Sequence, residues 1–236
     1  MSLKFERYKA GVKFYRELEQ NTPEWHETRR GIVTASEVHK LLTSKGLVAT
    51  NQTSRAYIAQ LAAERITGRV EDTYQSYDMM RGSIEEPYAR EAYKEHYGDV
   101  FEIGFMTRDF DGVKLGASPD GLTRGDAGGI EIKSRKPHVQ VNAILTGQVP
   151  QSNMPQLQTI MLVGCLKWID YVSFSNGMHL WVKRVYPDHH WQKNIIEAVK
   201  YAEGEINGIV SAYEHGTANL PLMEYIDHDE EPEIQI

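Results

Sequence analysis

"GASPDGLTRGDAGGIEIKSRKP", residues 116–137, places two acids, Asp120 and Glu131, on either side of a glycine-rich turn, with Lys133 two residues after the second acid. Val113, Leu115 and Ala117 alternate with Lys114, Gly116 and Ser118, the period of a half-buried strand, and Ile130 and Ile132 alternate in the same way with Glu131 and Lys133. The run between them is dense in residues that tolerate positive φ, so the spacing predicts a hairpin with residues 113–118 and 129–134 as neighbours. Side chains two apart on a strand share a face. Glu131 and Lys133 therefore point one way, Ile130 and Ile132 the other, and Asp120, at the end of the partner strand, lies beside Glu131. Converging carboxylates suit a hard divalent cation, and an ammonium on the same face suits the orientation of a water or the offsetting of charge on a phosphate. The same pattern also reads as a solvated hairpin face with one exposed ion pair, worth about 0–1 kcal/mol.

Outward from this stretch, the 236 residues suffice for a sizeable core, and 41% hydrophobic and 25% charged residues are ordinary for a soluble globular chain. No run approaches the roughly 18 apolar residues of a membrane span, and "MSLKFERYKAG" lacks the apolar centre of a signal peptide. The expectation is a cytoplasmic protein with no membrane partner. Cys165 is the single cysteine, which excludes an intramolecular disulfide and a multi-cysteine zinc site. The net charge of −7 argues against a nucleic-acid partner only at first sight. Glu224, Asp227, Asp229, Glu230, Glu231 and Glu233 crowd the C-terminus without a compensating cation, so the rest of the chain is near neutral and can carry a local basic face. Residues 1–223 read as one domain and 224–236 as an acidic tail.

The patterning predicts an amphipathic helix over residues 3–20, and a short helix through Leu42 opened by a capping box in "TASE" (34–37). Further helices are expected at 54–66, 84–97 (closed by Gly98), 154–163 and about 188–213, with a second hairpin of residues 168–175 and 178–185 around Asn176–Gly177. The fold class that results is α/β, with helices around a central mixed β-sheet. Ser83 and Glu86 have capping-box spacing, and the stripe Ile84, Tyr88, Ala89, Ala92 and Tyr93 is centred near Glu85, so periodicity nominates Glu85 rather than Glu86 as the inward acid. "WHETRRG" (25–31) sets Arg29 and Arg30 before a glycine and a helix start, which fits either a phosphate contact or a solvated basic turn. "DHHW" (188–191) reads as structural, because adjacent histidines diverge. Gln156 and Gln158 by themselves read as surface or capping residues, and "GASPDG" is no nucleophile elbow.

The stretches "WHETRRGIVTASEVHKLL", "RGSIEEPYAREAY", "GASPDGL", "GIEIKSRKP" and "MPQLQTIML" together resemble, in order, the phage lambda exonuclease family of viral alkaline exonucleases related to YqaJ recombinases. The resemblance covers most of residues 24–164; the C-terminal third matches only in general pattern. It implies a restriction-endonuclease-like core of the PD-(D/E)xK kind. It further implies that Asp120, Glu131 and Glu86 bind metal, with Ile132 beside them among the metal candidates, that Lys133 is the catalytic lysine, and that Gln156 is the glutamine of the active-site helix. Glu86 is here preferred over Glu85. Arg29, Ser36 and Ser118 match residues near the DNA phosphates. Arg30 stands where lambda exonuclease has an apolar residue, and "SRKP" departs from it in carrying Arg135 and Lys136, which extend the phosphate-facing surface. The implied activity is Mg²⁺-dependent 5′-to-3′ digestion of one strand of linear double-stranded DNA to mononucleotides for single-strand-annealing recombination. The resemblance implies two Mg²⁺, with Mn²⁺ as the alternative, which Asp120 would bridge in an in-line displacement, an arrangement in which such ions stand about 3.5–4 Å apart. The implied partners are DNA with a 5′-phosphate end, two further copies in a homotrimeric ring and a single-strand annealing protein, in a bacterial host cell and of phage or prophage origin. The rival readings are a restriction- or repair-type endonuclease with the same core and a non-catalytic DNA-end-binding protein.

Overall fold

A computed structural model describes residues 11–70 and 76–226. In chain order these form β1 (Val12–Tyr15), α1 (Pro23–Arg29), β2 (Val33–Thr34), a 3₁₀ turn (Val38–Leu41), α2 (Gln52–Thr67), α3 (Tyr77–Tyr97), β3 (Val100–Phe101), β4 (Phe105–Phe110) and β5 (Val113–Ala117). They continue with β6 (Gly121–Thr123), β7 (Gly128–Ser134), α4 (Pro137–Thr146), α5 (Met154–Gly164), β8 (Trp168–Phe174), β9 (Trp181–Val185) and α6 (His189–Thr217). The strands make two mixed sheets, β1-β4-β5-β2 and β3-β6-β7-β8-β9, in which β2 runs parallel to β5 and β7 parallel to β8.

The α/β class with helices around mixed sheets is as the sequence predicts, but the central hairpin is built differently. β5 pairs with β4 in the first sheet, whereas β7 takes β6 as its antiparallel neighbour in the second. The chain changes sheets across Ser118–Pro119–Asp120. Alternation at residues 113–118 identifies a strand correctly and cannot name its partner, because period two is the same for every pairing.

Helix α5 is apolar nearly all round and is buried from Pro155 to Gly164, apart from Gln156. It lies between the sheets, touching β4 and β5 on one side and β8 on the other, and its free flank receives α6. Ile195, Ala198, Val199, Ala202 and Ile206 give α6 its buried stripe, and Asp188 caps its start by accepting from the His190 and Trp191 N–H groups. On the far face of the second sheet, Ala89 and Tyr93 of α3 pack on Ile130, Ile132 and Val172. The isoleucines of β7 therefore face α3 and leave Glu131 facing α5.

Local expectations fail where a side chain has a competing partner. Residues 12–15 are a strand paired with β4 rather than part of an N-terminal helix; the first ten residues lie outside those described. "TASE" forms no capping box: Glu37 caps the 3₁₀ turn without a side-chain bond, and the Thr34 and Ser36 hydroxyls lie 3.3 Å apart instead. Helix α3 starts at Tyr77, capped by Ser76, so Ser83 sits inside it and donates to the Met79 carbonyl rather than capping Glu86. The helix runs on through Gly82, and Arg81 in the added turns donates to the Ser134 hydroxyl at 3.0 Å. The second hairpin and the helices at 154–163 and 188–213 fall close to their expected bounds, with β9 starting later, at Trp181. Of the acidic tail only residues 224–226 are described.

Two glycines with opposite surroundings test this packing. A Cβ on Gly128 would lie 2.2 Å from Trp168 Cε2, with Arg184 stacked on that indole at 3.6 Å. Gly128→Ala should cost about 1–3 kcal/mol by overpacking. Gly208, exposed in the middle of α6, has nothing within 4 Å of its built Cβ, so Gly208→Ala should stabilise by about 0.5–1 kcal/mol. Thermal melts of both variants should therefore move in opposite directions; a neutral Gly128→Ala would contradict the β7–β8 packing.

Candidate active site

β6 is short, and its register with β7 ends at Gly121 opposite Ile130. The next rung is made by Asp120: its N–H donates to the Ile130 carbonyl (3.2 Å), and its carboxylate, rather than a strand carbonyl, accepts the Ile132 N–H at 2.5 Å. Beyond that point the edge of β7 is open. The space left is a groove of about 380 Å³ lined by Asp78, Met79, Gly82, Ser83 and Glu86 of α3 and by Asp120, Glu131, Ile132, Lys133 and Ser134.

The expected acids meet in this groove. Asp120 is 9% exposed and Glu131 2%. Burial raises Asp120 well above the ordinary carboxylate range, and the charges of Glu131 and Glu86 raise it further. Glu86 is also raised, by burial and by Glu131, against the lowering effect of Arg90. Burial would lower the Lys133 ammonium, but Glu131 and Asp120 outweigh it and its pKa lies above the usual lysine value. Lys133 Nζ and Gln156 Nε2 both donate to Glu131 Oε1, at 2.7 and 2.6 Å. Glu131 Oε2 is buried with no hydrogen-bond partner. Glu85, by contrast, accepts from the Ser134 hydroxyl at 2.6 Å. The structure thus brings Glu86 to Asp120 and Glu131, and the helical stripe that favours Glu85 reflects its contact with the end of β7.

A divalent cation fits this donor set. A buried carboxylate oxygen without a donor, beside a second carboxylate driven toward protonation, is an arrangement that positive charge stabilises. The acids do not close into a preformed three-ligand cage among the described residues. Glu86 is turned to Arg90 and Asp120 to the Ile132 N–H, so an ion here would keep waters in its shell. Ile132 packs its side chain into the small core under α3, leaving only its backbone to the groove.

A second cluster leads to the first through Ser118. Arg29 lies over the Trp25 ring at 3.6 Å, and its guanidinium has only long contacts, 3.4 Å to Thr34 Oγ1 and 3.5 Å to Ser36 Oγ. No carboxylate pairs with it among the described residues, and burial pushes its pKa down to about 10. The Trp25 indole N–H donates to the Gly104 carbonyl (2.9 Å) and to Ser118 Oγ (3.2 Å), and Ser118 stands two residues before Asp120. Arg29, Ser36 and Ser118 are thereby gathered around Trp25, and the last of them leads into Asp120. The other cations are placed differently. Arg30 engages Glu27 and the Gly68 carbonyl; Arg135 donates to Tyr171 Oη and Asn153 Oδ1; Lys136 pairs with Asp78 at the rim of the groove, 3.3 Å away.

Two residues escape the sequence reading. Arg90 donates to the Asp120 carbonyl at 2.9 Å while pairing with Glu86 and, at 2.6 Å, with Glu102. Trp25 is the platform under Arg29. Both carry a signal at helical spacing, Arg90 four residues after Glu86 and Trp25 four before Arg29.

Residues 24–166 match the model of the YqaJ-like viral recombinase domain. The fold is similar to that of the alkaline exonuclease LHK-Exo from Laribacter hongkongensis, with a TM-score of 0.73 and 31% identity over 85% of this chain and 100% of that one. LHK-Exo in complex with dAMP matches with a TM-score of 0.73 and the same 31% identity, again over 85% of this chain and 100% of that one. The phage-related exonuclease from Haemophilus somnus 129PT, 15% identical over 77% of this chain and 96% of its own, shares the fold with a TM-score of 0.53. No curated protein matches the chain.

The Asp120 environment has a consequence for stability without metal. Its pKa is raised on folding, so its contribution is fully present below the unfolded value of about 3.9 and is lost as pH rises from there through the folded pKa. At neutral pH this buried carboxyl group is a net penalty to folding. Asp120→Asn keeps an acceptor for the Ile132 N–H and removes the charge, so in EDTA at pH 7 it should melt several degrees above wild type, about 2–4 °C for each kcal/mol in a domain of this size. The gap should close as pH falls toward about 4. Melting curves of the two proteins from pH 4 to 8 measure it, and a variant less stable at pH 7 would contradict the assignment.

Proposed function

The chain belongs to the YqaJ-like viral recombinase family, and from that premise we propose that it is a metal-dependent exonuclease that digests one strand of linear duplex DNA from a 5′-phosphorylated end. One observation carries this reading: a buried acid and lysine cluster with a donor-free carboxylate oxygen is joined through Ser118 and Trp25 to a guanidinium that no carboxylate pairs with among the described residues. Binding alone does not require the first, and an endonuclease does not require the second.

Asp120 and Glu131 would hold Mg²⁺ in the groove, with Glu86 helping to hold a second ion. When bound, the metal would polarise the scissile phosphate and acidify a water. Gln156 and Lys133 fix the rotation of Glu131 by occupying Oε1, which leaves Oε2 for the ion. Lys133 keeps its proton through neutral pH and can orient the attacking water or offset charge on the phosphate. Arg90 holds the Asp120 backbone and the Glu86 carboxylate together. Arg29, with the Thr34 and Ser36 hydroxyls beside it, offers planar, charge-assisted donors to a terminal phosphate. The reading extends to mononucleotide release, a homotrimeric ring and an annealing partner. Exposed Tyr77, Met80, Ile84 and Tyr88 on α3 are apolar surface of a kind that assembly covers. No helix among the described residues is long and apolar enough to cross a membrane.

Initial rates on end-labelled linear duplexes and closed circles, with Mg²⁺ or EDTA, test the reading. Linear 5′-phosphorylated duplex should be digested in Mg²⁺ only, faster than the 5′-hydroxyl form, and circles should stay intact. Arg29→Ala should remove the preference for the phosphorylated end, mostly by slowing that substrate. Nicked circles would indicate an endonuclease, and absence of turnover an end-binding protein.

A further inference from the structure

The side chain of Arg29 is held weakly for a group that is to read a phosphate. Its hydrogen bonds are 3.4 and 3.5 Å long, and its stacking on Trp25 fixes a plane rather than a point. Its position is therefore set by the backbone behind it. That backbone is gripped two residues on, at Gly31. The Gly31 N–H donates to Glu64 Oε2 at 2.7 Å, and the Gly31 carbonyl accepts from Arg65 Nε and Nη2 at 3.0 and 2.7 Å. Arg65 in turn forks onto Glu203 of α6, Nη1 to Oε1 and Nη2 to Oε2, both at 2.7 Å. The Ile32 N–H returns to the Arg29 carbonyl at 3.1 Å and closes the turn.

A turn after a seven-residue helix needs only its own backbone bonds to close. Here both polar groups of one glycine are bound by charged side chains of α2, and one of these is locked by α6. Gly31 has φ +64°, and a Cβ there would lie 2.7 Å from Arg65 Cγ, so the clamp and the glycine require each other. The Arg65 hydrogen bond holds the Glu203 carboxyl below its usual range.

We propose that Glu64, Arg65 and Glu203 are positioning residues that set Arg29 through Gly31, so that the choice of a phosphorylated DNA end depends on α6 even though Glu203 lines neither the groove nor the Arg29 cluster. This rests on the reading of Arg29 as the ligand of the terminal phosphate. A planar fork can bind the Gly31 carbonyl and both Glu203 oxygens at once; a single ammonium cannot.

The test uses the full chain with Mg²⁺ at fixed salt and compares Glu203→Gln, Arg65→Lys and Arg29→Ala on 5′-phosphorylated and 5′-hydroxyl linear duplexes. Glu203→Gln should raise KM for the phosphorylated duplex about threefold or more with kcat little changed, the signature of lost ground-state binding. The 5′-hydroxyl duplex should be digested as by wild type. Arg65→Lys should act in the same direction and more strongly. If Arg65→Lys gives no cooperative melt, Glu203→Gln, which keeps its shape and a neutral hydrogen bond to Arg65, decides. A parallel loss on both substrates would mean that the fork supports only the fold, and overturns the proposal. A preference lost in Arg29→Ala but kept at the wild-type factor in Glu203→Gln overturns the positioning role alone. A preference kept in Arg29→Ala shows that the end is read elsewhere, and both the end-phosphate reading and the role built on it fall.

Discussion

A carboxylate stands where a strand carbonyl would continue the β6–β7 ladder. The Asp120 side chain accepts the Ile132 N–H at 2.5 Å, and much of the groove follows from that hydrogen bond. It ends pairing along one edge of β7, so the groove is open where Glu131 and Lys133 emerge. It also sets a second acid beside Glu131 in a buried place, where neither charge is well solvated. Arg90 reinforces the arrangement from α3 by donating to the Asp120 carbonyl. Pro119 precedes Asp120 with a fixed φ, and its carbonyl accepts from Gln20, so the chain is stiff at the point where it leaves one sheet for the other.

The electrostatics of the molecule are local rather than global. A net charge of −7 coexists with a guanidinium that has no carboxylate partner among the described residues, two residues and one indole away from the acid cluster. Burial strengthens both fields, since the same low dielectric that drives Asp120 toward protonation pulls Arg29 down to about 10. The two clusters are complementary in what they attract. The acids are unfavourable to a phosphate until cationic charge is placed among them, whereas Arg29 attracts one directly.

Packing explains why these groups hold their places. Glu131 lies on the central strand of the second sheet, between β6 and β8, with its neighbouring isoleucines buried under α3 and its carboxylate reached by Gln156 from the buried helix α5. Tyr93 and Arg184 both bind Asp170 of β8, tying α3 and the edge strand β9 to the same sheet. The site is thus carried on regular elements, and the one turn that carries Arg29 is fixed by side chains from α2 and α6.

The sequence by itself determined the elements whose signal is local. Alternation identified β5 and β7, the Asn176–Gly177 turn identified the hairpin of β8 and β9, local patterning marked α2, α5 and α6 as helical, and the spacing of Asp120, Glu131 and Lys133 placed the acids side by side. Family resemblance preferred Glu86 over Glu85, and the structure puts Glu86 beside those acids and Glu85 on Ser134. Tertiary structure alone decided which strand pairs with β7, where α3 begins and what "TASE" does. Each of these is a competition between partners distant in the chain. Period two does not encode a neighbour, the first turns of α3 meet the end of β7 through Arg81 and Ser134, and the Thr34 and Ser36 hydroxyls form no cap and lie beside Arg29 instead. The roles of Arg90, Trp25 and the Gly31 clamp were illegible for the same reason: their meaning lies in contacts 30 to 138 residues away along the chain, which local patterning does not record.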